Sequence, residues 1–440
     1  MRGAVLTATG DASAGFSLRH DADAVVVIDN GRITDVGPAR DVVDRMPPRV
    51  SIERIPASCV IVPGFVDCHV HYAQLPIIAS HGTQLLDWLE RYTFAAEQAM
   101  SDPDRARDAA RSFFDETLRC GTTTVMSFCT VHPASVDAFF EEARSRGVRA
   151  IGGKVLMDRH APAPLCDTAQ RGYDESLALI DRWHGRGRIG YAITPRFAPT
   201  SSAAQLEAAG ALWKAHPDCW MQSHVAENHD EIAWVRQLFP EARDYVDVYA
   251  RFGLLGRRAV YGHGIHLSDA ELDRLAQTGT AIAHCPTSNL FLGSGIFPWR
   301  RIKARPVAPS VGFGTDVGGG TSLSMLATAA EAYKVAQLAG CSLGPAELLY
   351  RITHAGAQAL GLDDRIGAIA TGYEADLVVL DLEATSLLAQ RTRTSNGIDE
   401  ALFALLMLGD DRAVASTWAG GRCVYRRDDR ESASRPLAPR

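Results

Sequence analysis

No Cys-x-x-Cys pair occurs in the chain, although it holds 9 cysteines. Their odd number and single spacing, from Cys59 to Cys423, exclude a zinc-finger ladder, argue against a disulfide frame and fit the reduced thiols of a cytoplasmic protein. Long apolar runs are also lacking. No stretch reaches the roughly 18 consecutive apolar residues that a bilayer-spanning helix needs, and the opening MRGAVLTATGDASAG has no signal-peptide core, so no membrane partner is expected. Runs of one charge sign are absent too. The 52 acidic and 45 basic side chains are interspersed, giving a formal net charge of −7 that speaks against nucleic acid as a partner.

What is there is a long chain with ample core: 440 residues, 46% of them hydrophobic. Short β-rich segments alternate with helix-periodic ones. CVIVPGFVDCHVH, TTTVMSF, RAIGGKVLMD, IGYAITPR, CWMQSHVAE, AVYGHGIH, GTAIAHCP and VGFGTD are the candidate strands. Between them lie helical patterns such as SVDAFFEEARSRG, SAAQLEAAGALWKAH and SDAELDRLAQTG, with Ser201 or Ser202 and the Ser268/Glu271 box as caps. About eight such units predict a closed (β/α)8 TIM-type barrel. Both chain ends instead offer short Gly- and Asp-punctuated strands, AVVVIDNGRITDVG near the start and GYEADLVVLDL and ASTWAGGRCVY near the end. They predict a small β-sandwich built from residues 1–62 and 366–426 around a barrel of residues 63–365. Residues 427–440, charged and Ser/Pro-rich, read as a mobile tail.

Four of these strands finish in imidazole or carboxylate. In PGFVDCHVHYAQ, alternation sends His69 and His71 to one face and Val70 to the other. His224 closes the fifth strand with Glu227 three residues on, His263 lies in the sixth, and Asp316 follows the eighth. An H-x-H alone could be a hydrogen-bonded core pair. Three histidines and an aspartate at the C-terminal ends of barrel strands are, however, a standard donor set for zinc, with iron also compatible. The fourth strand, ending ITPRF, has no lysine to bridge two metals, and Lys154 lies in the third, so one ion per subunit is expected.

With these residues placed, the chain resembles the amidohydrolase superfamily, whose barrels carry H-x-H on strand one, histidines on strands five and six and an aspartate on strand eight. PGFVDCHVHYAQ, LLDWLERYTF, TPRF, QSHVAENHDE, AHCPTSNL, GTDVGGG and LGDDR are similar to segments of the guanine deaminase family, from about residue 60 to residue 412. One departure is Ala95-Ala96-Glu97, where that family has a proline before Ala-Glu; it is read as touching a helix start. The other zinc deaminase fold, marked by H-x-E and P-C-x-x-C, is excluded because no P-C-x-x-C exists.

The resemblance implies hydrolytic deamination of a purine, guanine, by a homodimer. Zinc held by His69, His71, His224 and Asp316 would lower the pKa of a bound water from about 15.7 toward about 7. Asp316 could take that water's proton, Glu227 shuttle protons to ring nitrogen and leaving amine, and His263 orient the water. Gln74, Arg196 and Phe197, together with His224, Glu227, His263 and Asp316, would contact the base, and the stretch from Leu85 to Leu89 would cover it. From the residues alone, Glu227 could also be a solvated ion-pair member and His263 equally a core histidine, while Gln74 reads first as a surface glutamine. His284 in AHCP could support the site from behind. 8-Oxoguanine, a pterin or an aminotriazine are alternative substrates, and a barrel serving only as a scaffold is the reading of another class.

Overall fold

A computed structural model describes residues 1–11, 15–46, 50–82 and 84–427. Eight strands run parallel in the order of the chain: Phe65–His71, Thr122–Phe128, Arg149–Gly153, Ile189–Pro195, Trp220–Val225, Ala259–His263, Ala281–His284 and Val311–Phe313. Each is buried throughout, which is why they read as apolar runs rather than as alternating ones. The ring closes just past the last strand: Asp316 N donates to His69 O at 2.8 Å and His71 N donates to Val317 O at 2.7 Å. The buried Asp67 carboxylate ties the same seam, accepting from Thr315 N at 3.0 Å and Thr315 Oγ1 at 2.5 Å. Val66, Met126, Ile151, Ala192, Trp220, Val260 and Ala281, one from each of seven strands, share an apolar cluster. They can meet only inside the barrel, so its lower half is packed and chemistry is confined to the top.

The helices form where their local signals place them. Ser202 caps Ala203–Ala215, and Ser268 with Glu271 makes the expected capping box on Asp269–Thr278. Pro103–Arg119 starts on Asp102, which accepts from Asp104 N at 2.9 Å, and buries Ala106, Ala110, Phe113, Phe114 and Leu118 along one stripe.

The smaller β unit expected from both chain ends is one seven-stranded sheet, ordered Arg422–Arg426, Val414–Ala419, Leu377–Asp381, Cys59–Pro63, Arg2–Asp11, Gly15–Asp29 and Arg32–Pro38. Period-two alternation makes both of its faces apolar: Val60, Val62, Val378 and Leu380 join the main core, while Ile61, Leu377 and Val379 face a second cluster. The single strand read across CVIVPGFVDCHVH divides at Gly64, with Cys59–Pro63 in this sheet and Phe65–His71 in the barrel. Only glycine fits at the crossing, because a Cβ there would lie 2.1 Å from Thr123 Oγ1. Buried ion pairs of Arg149 and Arg188 with Glu374, and of Arg188 with Asp376, join the two sheets. Of the tail expected from 427 onward, residues 428–440 lie outside the described residues. No helix among the described residues is long and apolar enough to cross a membrane.

Candidate active site

His69, His71, His224, His263 and Asp316 converge at the top of the barrel, all buried. His69, His224, His263 and Asp316 each offer a donor atom within 4.8 Å of the others. His71 belongs to the same knot, its Nε2 lying 3.2 Å from His224 Nε2 and 3.4 Å from Asp316 Oδ1. Asp316 Oδ1 is also 3.4 Å from His69 Nε2, and its Oδ2 is 3.8 Å from His263 Nε2.

Backbone details aim these side chains. His263 and Asp316 both take left-handed backbone angles, φ 70° and 49°, which cost of order 1–3 kcal/mol each for a residue with a side chain. That strain turns both residues at their strand ends. The His224 Nδ1 position, 2.7 Å from Arg196 O, and the His263 Nδ1 position, 2.9 Å from Asn289 Oδ1, fix the proton on Nδ1 and leave each Nε2 with a lone pair. Gly262 makes room for His69, since a Cβ there would sit 2.6 Å from its ring Cε1. Gly262→Ala is therefore expected to push the His69 ring aside and weaken metal binding about 10–100-fold, as changes that disturb ligand orientation do; chelator competition measures it.

The donor set fits a divalent cation. His69 Nε2 and His263 Nε2 are buried with no hydrogen-bond partner among the described residues, and the 3.2 Å approach of two imidazole Nε2 atoms is repulsive unless a proton or cation mediates it. A second proton on either ring is disfavoured. Burial pushes His71 down to about 4, and burial with the neighbouring imidazoles holds His224 well below its ordinary value. Burial alone would raise Asp316, but the imidazoles crowded around it, His69 and His71 foremost, outweigh burial and keep this carboxylate well below its usual range. Neutral imidazoles and an ionised carboxylate are what zinc or ferrous iron takes. Lys154 cannot bridge two ions here, because its ammonium is buried against Val131 O at 2.5 Å and in ion pairs with Asp167 and Glu175.

Glu227 is buried, with Oε1 accepting from Ser294 Oγ at 3.0 Å and Oε2 facing His263 Nε2 at 3.3 Å. Burial, reinforced by the nearby Asp316 charge, pushes its carboxyl up to about 8. It is no solvated ion-pair member, and a carboxyl raised in this way suits proton transfer near neutral pH. Beneath it Glu231 closes the capping box of His229–Leu238 and accepts from Glu227 N at 2.9 Å, fixing the backbone that presents Glu227.

A cleft with about 410 Å³ of atom-free space, its open mouth included, sits over this knot. Gln74, Arg196 and Phe197 line it as the resemblance implies, and Leu85, Trp88, Leu89 and Leu292 pack with Phe197 into an apolar cover. Gln74 is buried, not a surface glutamine. Its Oε1 accepts from Gly318 N at 3.3 Å and its Nε2 donates to Glu97 Oε1 at 2.8 Å. The same carboxylate oxygen accepts from Arg196 at 2.6 Å.

Glu97 thus corrects the reading of Ala95-Ala96-Glu97 as a helix start. Helical backbone runs from Leu85 through Ser101, with a wider turn at Leu89–Thr93, and Glu97 lies well inside it. Its helix buries Glu97 against the cleft wall, so the residue holds two cleft-lining side chains. His284 does not support the site by hydrogen bonding. Its ring stacks on Phe297 at 4.2 Å, and neither nitrogen has a hydrogen-bond partner among the described residues. Asp67, Asn289 and Ser294 were not picked out in the sequence, although CPTSNL and GTDVGGG carry or flank their contacts.

An eight-stranded α/β barrel whose strand ends bring histidines and an aspartate into one cleft defines the amidohydrolase type of hydrolase, and the chain belongs to the amidohydrolase family, whose model matches residues 60–424. Within it the chain is similar to the guanine deaminases. It is 45% identical to guanine deaminase of Escherichia coli strain K12 over 412 residues, 94% of this chain and 93% of that protein. The solved structure of the E. coli enzyme superposes with a TM-score of 0.93, at 44% identity, covering 97% of this chain and 99% of the other. Guanine deaminase of C. acetobutylicum, solved with guanine in its active site, superposes with a TM-score of 0.86 at 27% identity, over 96% of this chain and 99% of that one.

Proposed function

We infer that this chain hydrolyses guanine to xanthine and ammonia, the reaction of a purine catabolism or salvage enzyme. One observation carries the reading: one cleft sets the His/Asp knot and the buried Glu227 beside the polar edge formed by Gln74 and Arg196. His69, His71, His224 and Asp316 would hold one zinc ion, with iron as the alternative, and His263 would stand at the edge of the knot. When bound, the ion makes a water acidic enough to act as nucleophile at neutral pH.

The chain's own residues do the rest. Arg196 and Gln74 hold the carbonyl edge of the base, and Phe197 with the Leu85–Leu89 cover excludes water and packs against the flat ring. Asp316 accepts the proton of the attacking water, and His263, its Nε2 lone pair fixed by Asn289, orients that water. Glu227 delivers its proton to the ring nitrogen beside the amino-bearing carbon. The hydroxyl now on that carbon gives its proton to Glu227, which passes it to the amine; ammonia leaves, the carbon keeps its oxygen as a carbonyl, and Asp316 returns the water's proton to Glu227. The barrel and sheet assigned to 63–365 and to 1–62 with 366–426 are proposed as the two structural units, and a cytoplasmic homodimer as the working form. Buried thiols such as Cys68, Cys129 and Cys285, outside any disulfide, fit a reducing compartment.

Ammonia release from guanine, 8-oxoguanine, a pterin and an aminotriazine, each offered separately to metal-analysed protein, tests the substrate. Guanine is expected to give the highest kcat/KM. No release from guanine with metal present would move the reaction to one of the other rings.

A further inference from the structure

The edge that reads the base is electrically neutral, and one residue outside the cleft lining makes it so. Arg196 is buried at 3% exposure and Glu97 at 0%. Their ion pair, 2.6 Å, is shielded from solvent, and the same Glu97 Oε1 takes a hydrogen bond from Gln74 Nε2 at 2.8 Å. Glu97 Oε2 has no hydrogen-bond partner among the described residues. Among the described residues, the hydrogen bonds of Glu97 go to the two side chains that would face the substrate. A buried carboxylate in that place costs desolvation that a neutral glutamine would avoid while keeping an acceptor of the same shape. The charge itself thus needs an account.

We propose that Glu97 is the positioning residue that sets substrate charge at this site: by compensating Arg196, it makes the clamp bind neutral lactam bases such as guanine and release anionic ones. The proposal rests on the guanine reading. Xanthine has two carbonyls flanking a ring N–H and is a stronger acid than guanine, so just above neutral pH it is partly anionic. A lone buried guanidinium would hold that anion by charge-assisted hydrogen bonds, roughly twice as strong as neutral ones. Paired with Glu97, Arg196 offers its remaining N–H groups to a carbonyl without offering net charge. Product is then released, and the neutral substrate keeps the advantage.

Glu97→Gln retains the size and one acceptor but removes the charge. With metal content and circular dichroism matched to wild type, guanine KM is measured beside the inhibition constant of xanthine at one pH slightly above neutral. The ratio of xanthine Ki to guanine KM is expected to fall by about tenfold or more, which a merely structural role would not do. Glu97→Asp keeps the charge, so its ratio should stay within about twofold of wild type even where turnover drops. An unchanged ratio in Glu97→Gln overturns the proposal. If Glu97→Gln does not fold, a Glu97→Asp ratio shifted toward xanthine overturns it and an unshifted one supports it. Wild-type protein that releases no ammonia from guanine would instead overturn the reading beneath it.

Discussion

Replacing His69 by alanine is expected to abolish both metal binding and turnover while leaving the barrel folded. His69 Nε2 is buried, unpartnered among the described residues and 3.4 Å from Asp316 Oδ1, so its place is explained by a ligand role and by no structural hydrogen bond. At neutral pH the gain from lowering a water's pKa from about 15.7 to about 7 is many orders of magnitude in available nucleophile. A fall of more than about 10³-fold in kcat/KM is therefore expected, with metal per chain near zero by elemental analysis. A non-catalytic scaffold would tolerate the change: full retention of metal in His69→Ala, or unchanged activity, would remove His69 from the site.

Glu227→Gln should separate proton transfer from metal binding. Glutamine keeps the length, can still accept from Ser294 and can offer its amide to the His263 Nε2 lone pair, so the cleft should keep its shape. It has no titrating carboxyl, and general acid and base catalysis typically contributes about 10²–10⁴-fold. The variant is expected to bind a full complement of metal and to lose turnover in that range, with guanine KM changed far less. Near-normal kcat would place the proton shuttle elsewhere.

These two residues also mark how far the sequence can be read. His69 and His71 were legible because strand geometry sends alternate residues to one face, and the strand's C-terminal end is where a barrel carries its chemistry. His224, His263 and Asp316 followed from the same rule on other strands, and Glu227 from standing three residues after a ligand. Gly64 hid a boundary, because nothing in CVIVPGFVDCHVH marks the point where one apolar strand leaves a sheet and the next begins another. The residues that hold the site in place were less legible still. Glu97 meets Gln74 and Arg196 across 23 and 99 residues, Ser294 reaches Glu227 across 67, and Asp67 reaches Thr315 across 248. Local patterning carries no trace of such contacts. What signal existed for Glu97 was a lone carboxylate in an otherwise uncharged stretch, Ala95 to Met100, where a buried charge would need a partner.

The central claim, that one metal ion in the His/Asp knot drives guanine hydrolysis, is tested most directly by following xanthine formation while metal is removed by a chelator and restored by titrated zinc. Turnover is expected to fall with loss of metal and to recover linearly, saturating at a single zinc ion per chain. Undiminished xanthine formation from chain stripped of metal would contradict it.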